Sequence, residues 1–170
     1  MSNLNVNDDK KDEKKKPNFK QSKAFGGSGG TEFDHGNNRH ISKITMYADN
    51  HVVRGLEIKY ANATLKAGNC DKSLTNKEHE FNVHADKGEF ITAATVRSNK
   101  FVQSLAFKTN KGRLLGPCGG KGWTKMNLMG DDTEGEEVKV PAPMKLQLCG
   151  LSGRAGACID QIVFRWGPVP

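Results

Sequence analysis

Two stretches of the chain combine residue types that can hold a ligand. The first is Phe25-Gly-Gly-Ser-Gly-Gly-Thr-Glu-Phe-Asp34. Four glycines in five positions expose consecutive backbone N–H groups and permit positive φ, so the main chain can approach a ligand closely. The same composition also suits a flexible linker. The second is Gly153-Arg-Ala-Gly-Ala-Cys-Ile-Asp160, whose carboxylate falls just inside an apolar run, beside Ile159 and Ile162. An unpaired charge there is costly. Asp160 either accepts backbone N–H bonds and stabilises a turn, or presents an acceptor pair to sugar hydroxyls while the small residues before it offer N–H donors. Residue types alone leave both readings open.

Other chemistries fit poorly. The G-x-G-x-x-G spacing of a dinucleotide loop is absent. Gly116-Pro-Cys-Gly-Gly-Lys-Gly122 has Leu115 and Gly122 where a phosphate loop needs Gly and Ser or Thr. His79 and His84 lie five apart, on opposite faces of a strand, and His35, His40 and His51 fall in expected turns without a nucleophile motif. Asp131, Asp132, Glu134, Glu136 and Glu137 make an acidic turn that lacks the EF-hand pattern. No catalysis, metal or cofactor is expected.

The elements that must position these stretches read as strands. Runs rich in Val, Ile, Thr, Phe and Tyr, separated by Gly, Asn, Asp and Lys clusters, cover 41–47, 52–60, 79–85, 90–97, 101–109, 144–151 and 158–166. Period-two alternation, as in Leu56, Ile58 and Tyr60, fits half-buried antiparallel strands. The class is all-β. Val53-Arg-Gly-Leu-Glu-Ile-Lys-Tyr60, Val102-Gln-Ser-Leu-Ala-Phe-Lys-Thr109 and Ile159-Asp-Gln-Ile-Val-Phe-Arg-Trp166 repeat one pattern about 50 residues apart. Three similar sheets around one core are expected, with Arg54, Gln103 and Asp160 at equivalent places.

The chain has 170 residues, one domain's worth, and a formal net charge of +7. Residues 1–23 carry +3 of it, hold little apolar content and are expected to be a disordered lysine-rich tail; residues 24–170 are the expected domain. The mildly basic body is no nucleic-acid stripe, so no nucleic-acid partner is expected. No apolar run spans a bilayer and no secretory leader is visible, which predicts a cytoplasmic or non-classically secreted protein, or a secreted one whose leader was removed. Cys70, Cys118, Cys149 and Cys158 form no C-x-x-C pair and are expected as free thiols.

The order Phe25-Gly-Gly-Ser-Gly-Gly, Phe33-Asp34, Ser104-Leu-Ala-Phe-Lys-Thr-Asn110, Gly116-Pro-Cys-Gly-Gly120 and Gly156-Ala-Cys-Ile-Asp160 resembles the jacalin-related lectins, from about Ala24 to Trp166. The segment 151–166 is similar to their animal branch, typified by the zymogen granule lectin. The resemblance implies a β-prism I fold of three four-stranded Greek-key sheets, without catalysis or a required metal. It also implies a site for a mannose- or glucose-type pyranose. There Gly30, Ala157 and Cys158 donate backbone N–H groups and Asp160 accepts from two hydroxyls. Cys158 stands where many members carry a larger residue that packs on the ligand. Some members have a second site in the first repeat; here that place holds Arg54, which cannot accept hydroxyls, so one site per chain is expected. The loop 110–114 is expected beside the site, with Lys111 and Arg113 as contacts for sulfate or carboxylate. Animal relatives can bind sulfated glycosaminoglycans through basic surfaces. The alternative reading is accordingly a polyanion or protein-interaction module using Lys59, Lys72, Lys100, Lys108, Lys111 and Arg113.

Overall fold

The computed structural model describes residues 18–124 and 131–169. It contains thirteen strands: β1 (Lys20–Gln21), β2 (Phe25–Gly26), β3 (Thr31–Asp34), β4 (Ile41–Ala48), β5 (Val53–Tyr60), β6 (Thr64–Gly68), β7 (Lys77–Asn82), β8 (Ile91–Ser98), β9 (Val102–Thr109), β10 (Leu114–Gly119), β11 (Glu136–Pro141), β12 (Leu146–Ala155) and β13 (Ile159–Pro168). One 3-10 turn, Ala85–Lys87, is the sole helical element among the described residues.

The strands form three antiparallel sheets. The first repeat orders them β6-β5-β4-β7, the second β10-β9-β8-β11. In each, three hairpin-linked strands are followed by a fourth that returns beside the first, a Greek key. The last repeat is completed from the chain's other end: β12 and β13 pair with each other, β3 lies outside β12, and β1 and β2 share the free edge of β13. This permutation places the glycine-rich loop between β2 and β3. It therefore takes the position that the 69–76 loop holds in the first repeat.

The expected domain start at residue 24 is too late. Lys20 and Gln21 pair with Trp166 and Arg165, and the Ser22 N–H donates to the Phe164 carbonyl at 2.9 Å. Residues 20–22 of the expected tail thus bond to the sheet, and residues 1–17 lie outside the described residues.

Inward-facing alternate residues fill the prism. Ile44, Met46, Leu56 and Ile58 of the first sheet meet Val96, Leu105 and Phe107 of the second and Leu148, Leu151, Ile162 and Phe164 of the third, all essentially inaccessible. Burial of each such side chain is worth about 1.5–3 kcal/mol. His35, at the end of β3, is also buried. It bonds the Tyr60 hydroxyl at 2.8 Å and the Lys66 carbonyl at 3.1 Å, which ties the last sheet to the first.

Each sheet breaks register at the same place, just before its central hairpin: between Tyr47 and Ala48, Arg97 and Ser98, and Arg154 and Ala155. Such bulges re-aim the side chains beside them. The residue after each turn is Arg54, Gln103 or Asp160, as the repeat predicts, and all three turns lie at one end of the prism.

Candidate functional site

Asp160 is 7% exposed, and no side chain among the described residues donates a hydrogen bond to its carboxylate. The glycine-rich loop lies directly over it. The Gly27 N–H donates to the Asp160 carbonyl at 2.8 Å. A Cβ on Gly29 would sit 2.6 Å from Oδ2 of Asp160, and one on Gly30 would sit 2.6 Å from Oδ1. Gly30 also has φ of +73°, so glycine is required there both for backbone freedom and for space. The loop is therefore an ordered wall of the site and not a linker. Burial pushes the Asp160 pKa above its ordinary value of 3.8, while the nearby Arg154 guanidinium opposes that rise.

The loops that carry the expected donors meet beside Asp160: a Cβ on Gly156 would sit 3.8 Å from the Gly30 Cα. Gly30, Ala157 and Cys158 lie on the two loops that flank the carboxylate, and no hydrogen bond engages their backbone N–H groups among the described residues. Backbone N–H groups beside a carboxylate that no side chain engages can bind vicinal hydroxyls, each accepting from an N–H and donating to the carboxylate. The Cys158 side chain does not face this opening. It is buried with Val52 and Trp123, against Phe101, in an apolar plug at the centre of the prism end. Burial lifts its thiol to about 11, which makes it a poor nucleophile.

The loop expected beside the site is elsewhere. Arg113 and Lys111 follow β9, at its far end from Val102, and β9 spans about 25 Å at its length. The turn that meets the glycine-rich loop is 98–101: a side chain at Gly27 would strike the Lys100 carbonyl. Arg113 is also committed. Its Nε lies 2.8 Å from Oε2 of buried Glu89, a second nitrogen lies 3.0 Å from Oε1, and the Asn82 carbonyl accepts from it too. The sequence signal for this pair is weak, because its members are 24 residues apart and belong to different loops.

The equivalent positions in the other repeats are closed. Arg54 pairs with Asp49 through Nε at 2.8 Å and through a terminal nitrogen at 2.6 Å, and donates to the Cys158 sulfur at 3.2 Å. The Asp49 carboxylate also accepts the His51 and Val52 N–H groups, at 2.7 and 2.8 Å. A groove of about 570 Å³ borders this turn, lined by His51, Arg54, Lys77 and His79 among others; it has no free carboxylate equivalent to Asp160. In the second repeat Gln103 is buried between Asp132 and Gly135. It donates to Oδ2 of Asp132 at 3.0 Å and accepts from the Gly135 N–H at 2.9 Å.

Among the described residues no cluster of three or more His, Cys, Asp or Glu is arranged to hold a metal ion. In the acidic turn, Asp132 is a structural acceptor for the Lys100 N–H at 2.8 Å. All four cysteines are free. No described helix is long and apolar enough to cross a membrane.

Three antiparallel sheets packed around one core, with a glycine loop against a buried aspartate at one end, define the architecture of a β-prism. A family model described as the jacalin-like lectin domain matches residues 22–164, and the chain belongs to that family. It is 27% identical to rat (Rattus norvegicus) zymogen granule membrane protein 16 over 149 residues, covering 86% of this chain and 79% of that protein. Among solved structures, Malaysian banana lectin superposes with a TM-score of 0.72 at 23% identity, covering 89% of this chain and 99% of that one. Artocarpin complexed with methyl α-mannose superposes with a TM-score of 0.66 at 22% identity, covering 86% and 96%. These likenesses establish the β-prism fold.

Proposed function

We propose that this protein binds a mannose- or glucose-type pyranose at the Asp160 end of the prism, without chemical conversion. The observation that carries the reading is the buried carboxylate beneath a glycine loop, at the one equivalent position of three where no side chain among the described residues hydrogen-bonds the residue. Gly30, Ala157 and Cys158 supply backbone donors and Asp160 supplies the acceptor. Charge-assisted hydrogen bonds are the stronger ones, and a rigid backbone wall limits the ordering cost of binding. The mannose named in the artocarpin complex supports the choice of sugar.

Titration with methyl α-mannoside at low and high ionic strength, followed by NMR, tests this. Saturable shifts in 26–30 and 155–160 that are indifferent to salt are expected. Absence of shifts at high millimolar sugar, together with salt-sensitive binding of a sulfated polysaccharide, would overturn the reading and favour a polyanion module.

A further inference from the structure

Arg154 lies one residue before the bulge of the last repeat and grips the glycine-rich loop. Its Nε donates to the Gly29 carbonyl at 3.1 Å, a terminal nitrogen donates to the Gly30 carbonyl at 2.9 Å, and the other lies 3.4 Å from Glu32. In a trans peptide the C=O and N–H point in opposite directions. Holding the Gly29 carbonyl therefore turns the Gly30 N–H away from Arg154.

The second repeat contains a one-pronged counterpart: its arginine holds the carbonyl of the glycine itself and the side chain of the residue before it, Glu134, at 3.3 Å. Arg97 occupies the equivalent position before its own bulge. It donates to the Gly135 carbonyl at 2.6 Å and pairs with Glu137 at 3.2 Å. Gly135 and Glu137 stand to β11 as Gly30 and Glu32 stand to β3. There the glycine N–H donates to the Gln103 side chain, the residue equivalent to Asp160. An arginine gripping the loop thus accompanies a glycine N–H aimed at the residue after the turn. In the first repeat Tyr47 replaces the arginine and Asn76 the glycine.

We propose that Arg154 is the positioning residue of the saccharide site: its two-pronged grip fixes the peptide planes around Gly30, so that the Gly30 N–H faces the same opening as the Asp160 carboxylate. In the second repeat the aimed N–H is consumed by Gln103, whereas in the last repeat it is left for a ligand. This role rests on the saccharide reading. The guanidinium also acts on Asp160 through its charge, opposing the effect of burial. The other titratable group facing Asp160 is the Cys158 thiol, neutral below about 11.

Arg154→Lys, Arg154→Gln and Arg97→Lys are compared with the wild type in methyl α-mannoside affinity, in the pH dependence of that affinity, and in the Gly30 amide resonance without sugar. Lysine keeps the charge and loses the fork. Arg154→Lys is expected to weaken binding about tenfold, displace the Gly30 resonance and leave the pH midpoint near that of the wild type. Arg154→Gln should weaken binding at least as much and raise the midpoint, because the charge is gone. Arg97→Lys should leave affinity within about twofold. Wild-type affinity in Arg154→Lys would overturn the proposal, as would an equal loss in Arg97→Lys. Failure of the wild type itself to bind would overturn the saccharide reading, and this role with it.

Discussion

The second and last repeats carry the same arginine, the same glycine and the same turn, yet one is closed and the other open. In the second, Gln103 supplies an acceptor for Gly135 and a donor for Asp132, so the side chain after the turn is committed internally. In the last, Asp160 offers only acceptors, the Gly30 N–H engages no internal partner among the described residues, and the buried carboxylate lies beneath its glycine loop. The backbone frame is common to both; whether a binding site exists depends on which polar groups are left without internal partners. The first repeat closes by a third route, an Asp49–Arg54 pair.

Substituting the open carboxylate should separate binding from folding most sharply. Asp160→Asn is expected to reduce methyl α-mannoside affinity by about 100-fold, the value of two lost charge-assisted hydrogen bonds. Its melting temperature should hold or rise, because a desolvated charge has been removed. Calorimetric titration and thermal unfolding measure the two effects; lowered stability together with retained affinity would show that Asp160 is a structural turn residue.

The closed repeat should behave in the opposite sense. Gln103→Ala removes the side-chain partner of Oδ2 of the buried Asp132 and of the Gly135 N–H, and should cost about 3 kcal/mol in denaturant unfolding. At the far end of the prism, Glu89→Gln should cost about 2 kcal/mol without changing sugar affinity. The Arg113 hydrogen bonds hold the Glu89 carboxyl down to about 2. A depressed folded pKa stabilises the protein above the unfolded value of 4.5, and that stabilisation disappears as pH falls toward 2. Wild type should therefore lose stability to acid over that window more steeply than Glu89→Gln. The smallest effect belongs to Lys111→Ala, which should leave mannoside affinity within about twofold because its turn lies at the end of the prism away from Asp160.

The central strands were legible because their inner faces alternate: the runs at 41–47, 52–60, 90–97 and 101–109 all fall within a residue of β4, β5, β8 and β9. Of the outer strands, β7 (Lys77–Asn82) was legible only two to three residues late, as 79–85, which leaves His84 outside the strand, and the others were missed. In β6, Thr64-Leu-Lys-Ala-Gly68, and β11, Glu136-Glu-Val-Lys-Val-Pro141, half-exposed edges relax the alternation. In β10, Leu114-Leu-Gly-Pro-Cys-Gly119, proline and glycine read as a turn. Ser152-Gly-Arg-Ala155 also reads as a turn, yet extends β12 because β3 pairs with it.

Asp160 and the glycine cluster stand out in the sequence because a charge in an apolar run and clustered glycines are rare, but residue types left a turn and a linker open as well, and only the family resemblance joined the two stretches. The roles of Arg154, Arg97 and Arg113 were not legible, since each is decided by partners brought from distant parts of the chain. A surface arginine and a committed one look alike in sequence.

A crystal structure with methyl α-mannoside tests the central claim most directly. The sugar should rest between residues 26–30 and 155–160, with two hydroxyls on Asp160 and the Gly30 N–H donating to the ring or a hydroxyl, while the groove beside Arg54 holds none. A sugar seated at Arg54, or bound elsewhere with Asp160 uncontacted, would contradict the account.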